Sequence, residues 1–288
     1  MEVQSISVCV PAGCPNNCKF CVSQTHTNEY HRRQFVVDYF ADSEADDDFE
    51  DRLEYARDNG VQCLILTGTG EPLMNQDFIR YFGNVNRGLN KPFRHIEIQT
   101  SGVTLDRESL EVLRYTGVKT ISLSLSSLIG EENANYNGTP QKLQFNIMEL
   151  CKMIKARGFN LRVSLNMTDA FNGVTPEHIF WCASELGANQ LTFRVLYESG
   201  KGHEQDNWIN EHRCNPEMIE KIHKYIKYVG EPLHRLSFGA MKYDVGGIST
   251  VVDEDCMNTK VGDGLKYFIL REDCRLYTHW DKKGSLVY

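Results

Sequence analysis

Three cysteines lie close together near the start of the chain, directly after its first apolar segment. Cys14, Cys18 and Cys21 have the spacing C-x3-C-x2-C, so three thiolates from one short loop can converge on a single metal centre. A [4Fe–4S] cluster normally takes four cysteines. Three ligands leave one iron with an open coordination position, which a catalytic metal requires. The spacing therefore predicts a catalytic iron–sulfur cluster.

The same cysteines permit a second interpretation. Cys18 and Cys21 form a C-x2-C pair of the kind that binds zinc, and His26 follows as a candidate further ligand. The chain would then be a zinc-stabilised, non-catalytic binding module. The complete triplet, with the aromatic Phe20 directly before its last cysteine, favours the iron–sulfur interpretation.

A second motif, TGTGEP at residues 67–72, follows an apolar run of strand length at residues 61–66. Gly68 and Gly70 at a strand end let backbone groups approach a ligand closely, and Glu71 offers a hydrogen-bond acceptor. Alone, this sequence would indicate a turn with a rigid proline. The cysteine triplet upstream favours a ligand-binding role.

The elements that must position these motifs alternate along the chain. Strands are predicted at residues 5–10, 61–66, 94–99, 119–125, 161–166 and 190–196. Helices are predicted at residues 49–59, 76–86, 105–115, 141–157 and 176–186. Parallel strands require such crossovers, and α/β barrels carry their chemistry at the C-terminal strand ends. The pattern predicts an α/β fold with a partial (β/α)6 TIM-type barrel.

The pattern changes after about residue 200. We predict a polar loop at residues 198–211, a helix at 216–229, Gly-rich strands within 236–250 and a hairpin formed by 265–270 and 275–280. The expected organisation is a core at residues 1–200 and a small C-terminal α+β extension at residues 201–288.

Composition limits the location and the partners. A net charge of −8 argues against nucleic acid, which normally requires a basic face. The sequence contains no run of about 18 apolar residues, so we predict no membrane span. The N-terminus shows no signal-peptide pattern. The ten cysteines are unevenly placed, so we expect reduced thiols and a cytoplasmic protein.

Together the two motifs resemble those of the radical S-adenosylmethionine (SAM) superfamily. Its signature is the C-x3-C-x2-C spacing, and residues 69–72 resemble its Gly-Gly-Glu-Pro motif with Thr69 replacing the first glycine. The resemblance implies that Phe20 packs beside the adenine and Glu71 accepts from the SAM amino group. It also implies a [4Fe–4S] cluster that cleaves SAM reductively to a 5′-deoxyadenosyl radical for hydrogen abstraction, and an electron donor such as flavodoxin or ferredoxin.

Residues 5–200 are similar to the molybdopterin-type GTP cyclases and their peptide-modifying relatives, the SPASM/twitch branch. By that similarity Thr100 lies near the SAM ribose, Ser124 contacts SAM, and Arg162 pairs with the SAM carboxylate. Asn172 matches an asparagine after the fifth strand, and Arg194 ends the sixth strand facing the same site.

The departures from these relatives concern the substrate. No C-x2-C pair follows Cys21, and the spacing of Cys214, Cys256 and Cys274 matches no ligand motif, so we expect a single cluster. The substrate stays open between a peptide and a nucleotide-like small molecule. A C-terminal hairpin similar to the one predicted here also occurs in viperin-like enzymes, which act on nucleoside triphosphates with one cluster. A glycyl-radical activase acting on a partner protein is a further alternative, although activases are usually smaller and lack this extension.

Overall fold

The computed structural model describes residues 2–25, 43–236, 239–255, 257, 264–280 and 282–288, so His26 and Cys256 lie outside the described residues. The strands are β1 (Glu2–Cys9), β2 (Cys63–Thr67), β3 (His95–Thr100), β4 (Thr120–Leu125), β5 (Asn160–Asn166), β6 (Gln190–Arg194), β7 (Glu231–Arg235), β8 (Met241–Val245), β9 (Ile248–Asp253), β10 (Gly264–Leu270) and β11 (Leu276–Tyr277). The helices are α1 (Val22–Thr25), α2 (Ser43–Asp58), α3 (Gln76–Gly88), α4 (Arg107–Tyr115), α5 (Gly130–Tyr136), α6 (Ile147–Ala156), α7 (Pro176–Glu185), α8 (Glu204–His212) and α9 (Pro216–Val229).

The strands form one sheet with a long parallel centre. β1 to β6 pair in chain order and all run parallel. β10 adds a parallel strand beside β1, and β9 adds one beside β6. β11 continues antiparallel from β10, and β8 and β7 continue antiparallel from β9. The predicted six-stranded parallel unit is confirmed, and the predicted C-terminal extension is hydrogen-bonded into both of its edges.

The two faces of the parallel strands differ in polarity. Ile121 and Leu123 of β4 and Val163 of β5 are fully buried in the hydrophobic core. Ser122 and Arg162, which alternate with them, pair in register on the other face. TIM-barrel interiors are usually filled with branched apolar side chains. This polar inner face instead lines a chamber.

Helix ends follow local sequence signals. Asp106 caps α4 by accepting from the Ser109 amide at 2.8 Å, and the Ser109 hydroxyl accepts from the Asp106 amide. Gly158 and Gly187 follow α6 and α7 with φ of +79° and +72°, a conformation that favours glycine. Both stops were predicted and are confirmed. None of the helices within the described ranges is long and apolar enough to cross a membrane.

Several predicted elements differ from the structure, two of them in ways that local contacts explain. The helix predicted at residues 141–157 starts later, because Asn146 accepts from the Glu149 amide at 3.0 Å and caps α6 at Ile147. The polar loop predicted at 198–211 contains α8, whose start is organised by Asp206. The Asp206 carboxylate accepts from the Ser199 amide at 2.7 Å. A local polar network therefore stabilises the start of a helix whose apolar residues show little helical periodicity.

Candidate active site

The cysteine loop joins β1 to α1 and is held by one asparagine at the end of α5. Cys14 is exposed, whereas Cys18 and Cys21 are partly buried. The Asn137 carbonyl accepts from the Asn17 amide at 3.0 Å and lies 3.3 Å from the Cys18 Sγ. These contacts fix the middle of the loop to the barrel, which limits the positions available to the three thiols.

The Asn137 side chain ties the loop to the strand ends. Its Oδ1 accepts from the Ser126 hydroxyl at 2.7 Å, and Asn166 Nδ2 donates to the same hydroxyl at 3.2 Å. Ser126, Asn137 and Asn166 are all buried. A satisfied buried network of this kind is rigid, so the cysteine loop rests on a fixed base.

The three thiols form a donor set that suits an iron–sulfur cluster. Burial raises the pKa of the Cys18 thiol, and the neighbouring Cys21 and Cys14 raise it further. The thiols are therefore close enough to repel one another as thiolates, and a bound cation reverses that cost. Asn16, between two of the cysteines, is buried with both side-chain polar atoms unpartnered among the described residues, which fits a loop that binds a further group.

Within the described residues, no three His, Cys, Asp or Glu side chains are close enough to hold one metal ion. A cubane cluster binds each thiolate through a different iron, so its ligands lie further apart than those of a single ion. His26, the candidate zinc ligand, lies outside the described residues.

A hydrogen-bond chain runs from Cys21 to the C-terminal hairpin. The Cys21 Sγ lies 2.8 Å from the Ser23 hydroxyl, which donates to the Thr69 carbonyl at 3.0 Å. The Thr69 hydroxyl donates to Glu272 Oε1 at 3.0 Å. The threonine that replaces a glycine of the superfamily motif therefore fastens the motif loop to the turn between β10 and β11.

The glycines of the TGTGEP loop permit direct backbone packing against the cysteine loop. A Cβ on Gly70 would lie 2.1 Å from the Ala12 carbonyl oxygen, and one on Gly68 would lie 2.7 Å from the Val10 carbonyl oxygen. The Glu71 amide donates to the Gly13 carbonyl at 2.9 Å. The two motifs therefore form one compact unit at the ends of β1 and β2.

Glu71 is buried and joins the ends of β2 and β3. Its carboxylate accepts from the Thr100 hydroxyl at 2.7 Å and from the Ser101 hydroxyl and amide at 2.6 and 2.8 Å. Burial raises the pKa of Glu71, and these hydrogen bonds oppose that rise. Glu71 and Thr100, both predicted to contact SAM, contact each other, and their roles toward SAM stay predictions.

Phe20 packs against an aromatic cluster that sequence reasoning missed. Its ring centroid lies 5.7 Å from that of Trp208, which lies 6.2 Å from Tyr136 and 4.5 Å from His212. Trp208 and His212 belong to α8, the helix predicted as a loop. Their spacing of four residues, one helical turn, was the available signal. Phe20 therefore has a protein partner beside the cysteine loop.

The predicted arginines lie on the wall of one cavity together with Gly68. The Arg162 guanidinium donates to Glu97 Oε1 and to Gln190 Oε1, both at 2.7 Å, so its charge is already paired. Arg194 ends β6, and its guanidinium has no hydrogen-bond or ion-pair partner among the described residues. Of the two, only Arg194 has a guanidinium without a charged partner among the described residues.

The remaining predicted polar residues have different surroundings. Ser124 is partly exposed and pairs in register with Ser164 of β5. Asn172 accepts from the Asn215 amide at 2.7 Å and so fixes the start of α9. The structure therefore gives Asn172 a backbone partner and leaves Ser124 on the inner face.

The cavity lies inside the barrel and has a volume of roughly 260 Å³. Ser23 and Thr69, which contact the cysteine loop, lie on its wall, as does Trp280 of the C-terminal segment. The charged side chains on its wall are Arg162, Arg194, Lys242, Lys266, Arg271 and Asp253. A cluster on the cysteine loop and a substrate in the chamber would therefore be neighbours.

The chain is similar in sequence to known proteins over much of its length. A sequence profile of the Radical SAM superfamily matches residues 8–180 of the 288-residue chain. The GTP 3',8-cyclase of Paracoccus denitrificans is 29% identical over 191 residues, which are 64% of this chain and 51% of that protein. The AdoMet-dependent heme synthase of Methanosarcina barkeri is 26% identical over 195 residues, 68% of this chain and 51% of that protein. The chain thus spans about half the length of these curated relatives.

Solved structures are similar over almost the whole chain. The structure of native anSMEcpe with bound AdoMet aligns with 98% of this chain and with 76% of the anSMEcpe chain. The TM-score is 0.61 and the sequence identity is 13%. The structure of Streptococcus suis SuiB bound to S-adenosylmethionine aligns with 95% of this chain and with 59% of the SuiB chain, with a TM-score of 0.59 and 14% identity. SuiB has also been solved bound to its precursor peptide SuiA. At these identities the likeness shows the fold alone.

Proposed function

The chain belongs to the radical SAM superfamily, and from that premise we propose that Cys14, Cys18 and Cys21 hold its [4Fe–4S] cluster at the mouth of the barrel cavity. The chain is an enzyme of the radical SAM class, whose members use this cluster and SAM. These cysteines would hold the cluster, which when bound and reduced would supply the electron that cleaves SAM to methionine and a 5′-deoxyadenosyl radical for hydrogen abstraction from the substrate. The observation that carries the proposal is the packing of the cysteine loop, through Ser23 and Thr69, against a polar chamber.

The protein's own contribution is position and exclusion of water. Asn137 holds the cysteine loop against the buried network of Ser126 and Asn166. Gly68 and Gly70 bring the backbone of the TGTGEP loop against it. This close packing places backbone groups of the TGTGEP loop beside the cysteine loop, which would hold the cluster.

Two arginines are candidates for the carboxylate of the methionine half of SAM. The role predicted for Arg162 requires it to share its guanidinium with Glu97, a buried partner. Arg194 has no such partner within the described part of the chain, and an arginine fork matches a carboxylate well. We therefore propose Arg194 as the first contact and keep Arg162 as the second candidate.

For the substrate we propose only a class, a peptide or a small molecule held in the chamber. The match to the superfamily across residues 8–180 favours the radical enzyme over the zinc module. The glycyl-radical activase is disfavoured by the C-terminal extension, which activases usually lack. The electron donor, a flavodoxin or ferredoxin, and the cytoplasmic location stay predictions.

Anaerobic reconstitution tests the proposal. We expect about four irons per chain from one cluster, and formation of 5′-deoxyadenosine from SAM with a strong reductant. Cys18→Ala should lose both the cluster and SAM cleavage. Cys182→Ala, which changes a cysteine of α7 away from the site, is the matched control and should retain both.

Three outcomes would contradict parts of this proposal. Full iron content and SAM cleavage in Cys18→Ala would remove the central claim. Colourless protein that binds zinc and no iron would restore the binding module. About eight irons, falling on Cys214→Ala or Cys274→Ala, would show a second cluster.

A further inference from the structure

The wall of the chamber is positively charged, although the chain as a whole is acidic. The whole sequence has 39 acidic and 31 basic residues, yet the charged residues on the chamber wall are five cations and one anion. Adding the carboxylates of Glu97 and Glu272, which contact wall residues, leaves a surplus of two positive charges among the described residues. Charges enclosed without counter-ions are costly, so the surplus calls for a bound anion.

Pairing shows which cations account for the surplus. Three of the five cations have partners: Arg162 is paired with Glu97, Lys266 contacts both oxygens of Asp253 at 2.8 and 2.7 Å, and Arg271 donates to the Trp280 carbonyl. The Lys242 ammonium makes no hydrogen bond or ion pair with the described residues, and the Arg194 guanidinium also makes none. Arg194 is assigned above to SAM, which leaves Lys242 for a second ligand.

Lys242 is held in an environment that disfavours its charge. Burial lowers the pKa of Lys242, and the nearby Arg162 lowers it further. Its strand, β8, belongs to the C-terminal extension and pairs with β9, which places Ser249 on the same wall of the chamber. The Ser249 hydroxyl is buried without a partner in the described residues, and an unsatisfied hydroxyl is a second cost. One anionic group would relieve both.

We propose that Lys242 and Ser249 bind an anionic oxygen group of the substrate, a carboxylate or a phosphate, in the chamber below the cysteine loop. The inference rests on the proposed function, because it assumes that the substrate occupies this chamber. It assigns the C-terminal extension, and not the superfamily core, as the part of the chain that selects the substrate. Carboxylate and phosphate share the chemistry that an ammonium and a hydroxyl recognise.

Anion binding can be measured without a cluster and without knowing the substrate. We would titrate the purified chain with inorganic pyrophosphate and, separately, with citrate, by calorimetry and by thermal unfolding. At least one probe should bind with a Kd of about 1 mM or tighter. Lys242→Gln should weaken that probe by about tenfold to hundredfold, as expected for one lost charge-assisted hydrogen bond. Preference for pyrophosphate or citrate distinguishes a phosphate from a carboxylate.

The unliganded protein provides a second readout. Because Lys242 is repelled by Arg162 and Ser249 is unsatisfied, Lys242→Gln and Ser249→Ala should unfold at the same temperature as wild type or higher. A residue that served only the fold would show the opposite. Lys227→Gln, the same change at an exposed site on α9, is the control and should alter neither binding nor unfolding.

The proposal is overturned if neither probe binds, if Lys242→Gln binds like wild type, or if it lowers the unliganded unfolding temperature. These failures differ from failure of the proposed function. A chain that forms 5′-deoxyadenosine but binds neither anion loses only this inference. A chain that binds an anion through Lys242 but assembles no cluster loses only the radical chemistry.

Discussion

The contact between the two motif loops can be tested by adding one methyl group. In Gly70→Ala the new Cβ would lie 2.1 Å from the Ala12 carbonyl oxygen and 2.5 Å from that of Gly13. Ordinary contact begins at 3.4 Å, so the backbones must separate by about 1.3 Å. Both partners are backbone atoms, which cannot rotate away as a side chain could. Overpacking of this kind costs typically about 1–3 kcal/mol, and the hydrogen bond from Glu71 to Gly13 would lengthen with it.

Urea unfolding of the cluster-free chain and iron content after reconstitution measure the two consequences. We expect Gly70→Ala to lower the free energy of unfolding by about 1–3 kcal/mol and to reduce iron incorporation, because the cysteine loop is displaced. Gly88→Ala is the matched control, since its Cβ meets nothing within 4 Å and alanine there should stabilise by about 0.4–1 kcal/mol. Equal unfolding midpoints and full iron content in Gly70→Ala would refute the packing argument.

Three further predictions concern polar contacts. Thr69→Val removes the hydrogen bond to Glu272 and should raise hydrogen exchange in the turn between β10 and β11; unchanged exchange would contradict the fastening role. Arg162→Ala leaves Glu97 buried and unpaired and should cost about 3 kcal/mol in urea unfolding, part of which Glu97→Gln should restore; wild-type stability would show that the pair is not structural. Burial raises the pKa of Glu71, so the folded state binds this proton more tightly than the unfolded state. The free energy of unfolding should therefore fall as pH rises through the raised pKa, and Glu71→Gln should remove that slope.

Local signals were sufficient for the barrel core. The six parallel strands are apolar runs bounded by turn residues, and stops such as Gly158 adopt the positive φ that favours glycine. The cysteine loop and the TGTGEP loop both follow parallel strands, whose C-terminal ends lie at one edge of the sheet. Their contact, including the Glu71–Gly13 hydrogen bond, follows from that topology.

Long-range partners were not available from the sequence. Arg162 was predicted to face a carboxylate, and the carboxylate it contacts belongs to Glu97, 65 residues away. Glu71 was predicted as an acceptor for a ligand, and it accepts from Thr100 and Ser101 of the next strand end. In both cases the residue type indicated the kind of interaction. The partner depended on packing between segments that are distant in sequence, which a spacing argument cannot supply.

The sequence match to the superfamily and the proposed substrate contacts lie in different parts of the chain. The superfamily profile ends at residue 180, so it covers the cysteine loop but none of β6 to β11. Those later strands supply Lys242, Ser249 and Asp253 to the chamber wall, and β10 brings Lys266 to its other side. Radical generation needs the same geometry in every member of the class, whereas the group that receives the radical differs. Under the proposals above, elements inside the matched region generate the radical and elements outside it surround the substrate. Variants of β8 and β9 should therefore change what is bound before they change whether SAM is cleaved.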